Sequence, residues 1–182
     1  MDAKTKLRLF IKQSVAETRP EQRAAWSAQL AARLVSHPRF VAAKTVMLYH
    51  ALPDEPSLEQ VLEEWHKRKL LLLPSVVGDD LHLHPYDGAA DIATGAFGIK
   101  EATTPEWAAL TAIDLIVVPA RAYDAKGHRL GRGKGYYDRF LARPELQTAY
   151  TLGLAFPFQM VDAVPTEPHD HMLDEVLTIT EA

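Results

Sequence analysis

The run Ile113-Asp-Leu-Ile-Val-Val-Pro119 limits the fold more than any other stretch, because it is apolar at every position but Asp114. A strand with one face in water alternates apolar and polar residues. One this uniform has to be covered on both faces, as in the parallel sheets of α/β domains. The rest of the chain agrees with that reading. Thr45 to His50 is a β-branched and apolar run of strand length, and Ser57 caps a helix through about Lys69 with Leu58, Val61, Leu62 and Trp65 as its apolar positions. Leu70 to Pro74 is another short apolar run, Leu81 to Pro85 alternates with period two, and a helix is expected from about Gly135 to Arg143. Tyr150 to Ala155 and Glu175 to Ile179 read as the last strands. Ahead of them all, Leu7, Ile11 and Val15 form a helical stripe, Thr18-Arg-Pro-Glu21 reads as a capping box, and Trp26, Leu30 and Leu34 share one face of a second helix. Strands alternating with helices imply an α/β fold: one domain over residues 1–182, with an open, mainly parallel sheet and helices on both faces.

Length and charge narrow the function. A chain of 182 residues is long enough to bury a substantial core. A formal net charge of −4 argues against a general nucleic-acid binder, which neutralises many phosphates with Lys and Arg. A local basic cluster on an acidic protein points instead to a small anionic ligand. With no cysteines there is no disulfide, thiol nucleophile or Cys-based zinc site. Lys4, Lys6 and Arg8 are followed by Ile11-Lys-Gln13 rather than an apolar signal segment, and no apolar run is long enough to span a bilayer, so a cytoplasmic location is expected.

The chemistry is concentrated between Ala120 and Arg139, where the buried strand ends and a helix begins. Ligands of open α/β sheets sit at the carboxyl ends of strands. Gly131, Gly133 and Gly135 alternate there with Arg132 and Lys134. Glycine lets the backbone approach an anion and offer it N–H donors. Arginine can fork onto a phosphate while lysine supplies a compact point charge, and the helix start adds unsatisfied amides. Neither common nucleotide fingerprint fits. A Walker A loop would need glycine at His128 and Ser or Thr at Gly135, and the Gly-x-Gly-x-Gly spacing differs from the dinucleotide Gly-x-Gly-x-x-Gly. On spacing alone, a basic loop solvated at the surface stays a competing reading.

The run Arg129-Leu-Gly-Arg-Gly-Lys-Gly-Tyr-Tyr-Asp138, with Asp114-Leu-Ile-Val-Val-Pro119 and Asp124-x-x-Gly127 before it, resembles the signature of the 5-formyltetrahydrofolate cyclo-ligase family. The likeness extends along the chain: Lys4-x-x-x-Arg8, Leu48-Tyr-His50 with Asp54-Glu-Pro-Ser57, Phe97-Gly-Ile99-x-Glu101, and His169-Asp170 with Leu173-Asp-Glu-Val-Leu177 fall in the family's order. Ala102 departs from it, since a proline usually follows that glutamate.

The resemblance implies a NagB/RpiA/CoA-transferase-like fold and an ATP- and Mg²⁺-dependent enzyme. Its reaction takes 5-formyltetrahydrofolate to 5,10-methenyltetrahydrofolate, ADP and phosphate through a phosphorylated formyl group. Carried over by position, Lys4, Arg8 and the stretch Arg129, Leu130, Gly131, Arg132, Gly133, Lys134, Gly135, Tyr136 and Tyr137 would hold ATP, with Arg132 and Lys134 stabilising the charge in flight. His50 and Glu55 would hold the folate, together with Arg132 to Tyr136; Asp138 and Asp174 would hold Mg²⁺. The implied partners are small molecules only, ATP and a folate with or without a polyglutamate tail. Neither nucleic acid nor membrane is implied, and a monomer is expected.

Read by residue type alone, the same positions are blander. Asp138 suits the first turn of its helix through the dipole. Asp174 is a strand-edge charge, Lys4 and Arg8 share a solvated helix face, Tyr136 and Tyr137 are candidate core aromatics, and His50 and Glu55 are polar ends of a strand and a turn. His82-x-His84 and His169-x-His171 put imidazoles on one side of extended segments, but no further ligands stand at zinc spacing. The competing functions are a sugar-phosphate enzyme of the same fold and a non-catalytic protein that binds nucleotide or folate.

Overall fold

The computed structural model describes residues 1–95 and 98–180; Phe97 of the glycine-turn match lies outside the described residues. Six strands form the main sheet: β1 (Thr45–Met47), β2 (Leu70–Val77), β3 (Asp80–Pro85), β6 (Leu115–Val118), β9 (Tyr150–Ala155) and β10 (Glu175–Thr178). Their spatial order is β10-β9-β6-β1-β2-β3, parallel throughout except for β3, which returns antiparallel along β2. The register of Val46 with Leu71 and Leu115, and of Val117 with Leu152, puts β6 at the centre of the sheet.

Side-chain alternation divides the core in two. Val46, Leu71, Leu73, Leu115, Val117, Leu152 and Leu154 point to one face, where they meet Leu34, Phe40, Val61 and Leu62. Those residues come from α2 (Pro20–Ser36), α3 (Pro38–Ala42) and α4 (Glu59–Trp65). Met47, Leu72, Ile116 and Val118 point the other way, against Phe140 and Leu141 of α5 (Tyr136–Leu141). The uniform apolarity of 113–119 follows: odd and even positions both face helices. The expected mainly parallel sheet with helices on both faces is what the chain forms.

The remaining elements position the site. In α1 (Ala3–Glu17), the Asp2 carboxylate caps the start by accepting from Thr5 N at 2.9 Å. The stripe Leu7, Ile11 and Val15 packs on Ala122, Leu130 and Val164, so α1 lies on a small antiparallel ribbon of β7 (Ala122–Tyr123) and β8 (Arg129–Leu130). That docking carries Lys4 and Arg8 to the loop after β8. A second hairpin, β4 (Ile92–Thr94) with β5 (Lys100–Ala102), completes the described strands.

Three local expectations are corrected. Thr18 closes α1 rather than capping α2: its hydroxyl donates to Ser14 O at 2.7 Å, and Arg19 occupies the α2 cap position without a side-chain bond. A hydroxyl turned back onto the preceding helix cannot also serve the next one. The helix expected from Ser57 to Lys69 runs only from Glu59 to Trp65, and Lys69 instead donates to Val41 O and Ala43 O. The helix expected to reach Arg143 stops at Leu141, so its macrodipole is small and loop amides and side chains carry most of the positive potential there.

Candidate active site

A cavity of about 440 Å³ opens beyond the carboxyl ends of β1 and β6. One wall is the segment Arg129 to Asp138; the opposite wall is Tyr49, His50, Leu52 and Glu55, from the connection that follows β1. Lys4, Arg8, Glu167 and Asp170 also line it.

The glycine-rich loop is shaped by two positive dihedrals. Gly133 has φ 105° and Gly135 φ 71°, where a side chain would be strained, and Gly135 leads directly into α5. Arg8 Nε donates to Gly131 O at 3.0 Å, and Arg139 donates to Lys134 O at 3.0 Å and to Asp79 O at 2.7 Å. These bonds clamp the loop from both sides and leave the Lys134 side chain exposed at the cavity.

Below the loop, Asp124 acts as a clip. Its buried carboxylate accepts from Lys126 N, His128 N and His128 Nδ1 on the turn, and from Val164 N of the C-terminal segment, all at 3.0 Å. Burial alone would raise its pKa, but these donors outweigh it and hold the carboxyl below the usual range. Gly127 in the same turn has φ 93°, and a Cβ there would meet Leu173 O at 2.2 Å.

The loop and the opposite wall meet through charge. Arg132 Nη2 lies 2.9 Å from Glu55 Oε1 and 2.5 Å from Asp54 Oδ1, while Arg121 Nη1 holds Asp54 Oδ2 at 2.5 Å. Glu55 Oε2 accepts from Leu52 N at 2.9 Å. Burial raises the Glu55 pKa against the pull of Arg132. Burial would lower that of Arg132, but Asp54 and Glu55 raise it. Burial, with Glu55 nearby, also raises the Tyr137 phenol. His50 is lowered by burial and by Lys100.

The structure brings Lys4, Arg8, His50, Glu55, the whole of 129–137 and Asp138 to one cavity. Their side chains are not equally available. Leu130 is buried against α1 and offers only its backbone. Arg129 is buried and tied to Asp138 Oδ1 at 2.8 Å, and Lys4 is paired with Glu167 and Asp170 at 2.7 and 2.8 Å. Tyr136 and Tyr137 are half-buried and pack against the α5 face of the sheet. Among the described residues, Asp138 is bonded by Arg129 and by His171 N, both on Oδ1. Asp174 does not line the cavity; its Oδ2 accepts from Thr151 N and Oγ1 at the start of β9. Sequence reasoning missed Asp54 and Arg121. Asp54 stands beside Glu55 in a quoted motif, but nothing local marks Arg121. Of the histidine pairs, His84 bonds Ser75 and Thr104 O, and His82 pairs with Glu106. Glu167, His169 and Asp170 bring ligating atoms within 4.8 Å of one another, but Lys4 already occupies the two carboxylates.

A loop rich in glycine and basic residues at the strand ends of a mainly parallel sheet, set across one cavity from a buried carboxylate, marks an α/β protein with one candidate ligand site. The chain belongs to the 5-formyltetrahydrofolate cyclo-ligase family, whose model matches residues 1–179. It is 31% identical to the mouse 5-formyltetrahydrofolate cyclo-ligase over 96% of this chain and 93% of that one. The identity with the Escherichia coli K12 enzyme of the same name is 29%, over 87% and 91%. Among solved structures, the Aquifex aeolicus 5,10-methenyltetrahydrofolate synthetase superposes with a TM-score of 0.86 at 33% identity, covering 97% of this chain and 90% of that one. A Mycoplasma pneumoniae 5,10-methenyltetrahydrofolate synthetase shares the fold, with a TM-score of 0.77 at 23% identity.

Proposed function

We propose that this chain is an ATP-dependent cyclo-ligase that converts 5-formyltetrahydrofolate to 5,10-methenyltetrahydrofolate, releasing ADP and phosphate. The observation that carries the reading is the meeting of the Gly-Arg-Gly-Lys-Gly loop and Glu55 across one cavity, in a chain that belongs to the cyclo-ligase family throughout its length.

The chemical obstacle is the formyl oxygen, a poor leaving group. Transfer of the γ-phosphoryl group makes it a phosphate ester; the neighbouring folate nitrogen then attacks the formyl carbon, and phosphate departs with the oxygen. Phosphoryl transfer depends on positioning and charge stabilisation. In this reading the amides of Gly131, Gly133 and Gly135 face the phosphates, and Lys134 and Arg132 neutralise the charge that moves between ATP and the formyl oxygen. Lys4 and Arg8 hold the nucleotide from α1. On the other wall, Glu55 accepts from the pterin N–H groups, and His50, kept neutral by burial and Lys100, borders the folate. A second cavity of about 440 Å³ between α2 and α4 shares His50, Leu52, Glu55 and Lys100 with the first, which suits an extended substrate crossing both.

Mg²⁺, when bound, would supply positive charge beside the phosphates. Asp138 fits such an ion, since it lines the cavity and leaves Oδ2 outside its own hydrogen bonds. Asp174, outside the lining and engaged with Thr151, does not fit as a direct ligand of the same ion. We further take the protein to act as a monomer in the cytoplasm, on small molecules alone.

Thermal melting separates this reading from a sugar-phosphate enzyme of the same fold. Mg-ATP at about 100 times its Kd is expected to stabilise the protein by roughly 2.7 kcal/mol, with 5-formyltetrahydrofolate stabilising it as well and ribose phosphates leaving it unmoved. Stabilisation by ribose phosphates, with none by ATP, would favour the sugar-phosphate reading.

A further inference from the structure

Arg132 is assigned to phosphate and Glu55 to folate, yet in the structure each is the other's partner. Glu55 Oε1 receives two guanidinium bonds, from Nη2 at 2.9 Å and Nε at 3.3 Å, while its Oε2 is already held by Leu52 N. Asp54 strengthens the contact from the side. Its Oδ1 takes the same Nη2, and its Oδ2 is anchored by Arg121 at 2.5 Å. Arg121 comes from the segment between β6 and β7, and its own N–H donates to Leu130 O at 2.7 Å at the end of β8. Asp54 is therefore held on both carboxylate oxygens, by Arg121 and by Arg132.

We propose that Asp54 is a positioning residue: braced by Arg121, it latches Arg132 onto Glu55 in the free protein, so that folate and nucleotide, each of which draws one partner out of that contact, bind with positive coupling. The inference rests on the cyclo-ligase reading of Glu55 and Arg132. Its logic is linkage. A ligand that needs the open contact binds with an affinity reduced by the fraction of protein already open. Once the first ligand has opened the latch, the second meets no such penalty, and the gain is reciprocal. A protein built this way holds its phosphate-binding arginine away from ATP until the phosphoryl acceptor is in place.

The test is calorimetric titration of the full-length protein with adenylyl imidodiphosphate and Mg²⁺, with and without saturating 5-formyltetrahydrofolate. In the wild type, folate is expected to tighten analogue binding by at least about fivefold. In Asp54→Asn the analogue alone binds more tightly than to wild type, and the coupling factor falls toward one. Both KM values drop in that variant, whereas a merely structural role for Asp54 would raise them. A coupling factor of one in the wild type overturns the proposal without recourse to any variant. Undiminished coupling in Asp54→Asn, or in Asp54→Ser should the first fail to fold, overturns it equally. Failure of the cyclo-ligase reading looks different: the wild type then neither binds folate nor forms the methenyl product, whereas failure of the latch alone leaves both intact with independent binding.

Discussion

Lys134→Ala loses about 10²–10³-fold in kcat, the range seen when one preorganised charge-stabilising donor is removed from a reacting centre. Its melting temperature stays within about 2 °C of wild type, because exposed substitutions away from packing and caps change stability by about 0.5 kcal/mol or less. Lys134 is exposed, and the backbone of its loop is also held by Arg8 and Arg139, so most of the loop's anchoring remains in the variant. Steady-state kinetics beside a melting curve check this. Wild-type turnover in the variant would remove Lys134 from phosphate handling. An activity loss matched by a large drop in melting temperature would make the effect one of folding.

Asp124→Ala has the opposite profile. Asp124 is 2% exposed, and its carboxylate satisfies three backbone N–H groups and one imidazole nitrogen, so its removal leaves the buried Val164 N unpaired and separates the 124–128 turn from Val164. The expected loss is about 3–5 kcal/mol, or roughly 10 °C in melting temperature for a chain of this size. Activity falls with it, since the turn feeds β8 and the phosphate loop. The pH dependence has a defined sign. The folded-state pKa of Asp124 is depressed, so its stabilisation is fully present above the unfolded value, near 3.8, and is lost as pH falls through the lower folded value. In denaturant unfolding the gap between the two proteins should therefore narrow as pH falls from 7 to 2. A gap that stays constant over that range would show that Asp124 stabilises by packing rather than by charge.

Much of the fold was legible because its strands are chemically uniform. Tyr150–Ala155 was bounded correctly, and the 113–119 run announced burial on both faces before any helix was located. The pieces that escaped are those with no room for periodicity. β7 and β8 are two residues each and β4 and β5 three, too short to alternate visibly, and they exist because neighbouring segments hold them. The capping error at Thr18 has a similar origin, since a hydroxyl between two helices can serve either and only packing decides.

The candidate site divides along the same line. Gly131 to Lys134 carry their chemistry in sequence, as glycine and charge side by side. The latch does not, because Arg121 and Arg132 reach Asp54 across 67 and 78 residues of chain. Contacts of that span leave no trace in local spacing.

The central claim is tested most directly by absorbance at the methenyl-folate band, after mixing the purified protein with 5-formyltetrahydrofolate, Mg²⁺ and ATP. Growth of the band with ATP present, and none without it, is the predicted result. A flat trace from folded protein that binds ATP would contradict the claim and assign the site to a different phosphoryl acceptor or to binding without turnover.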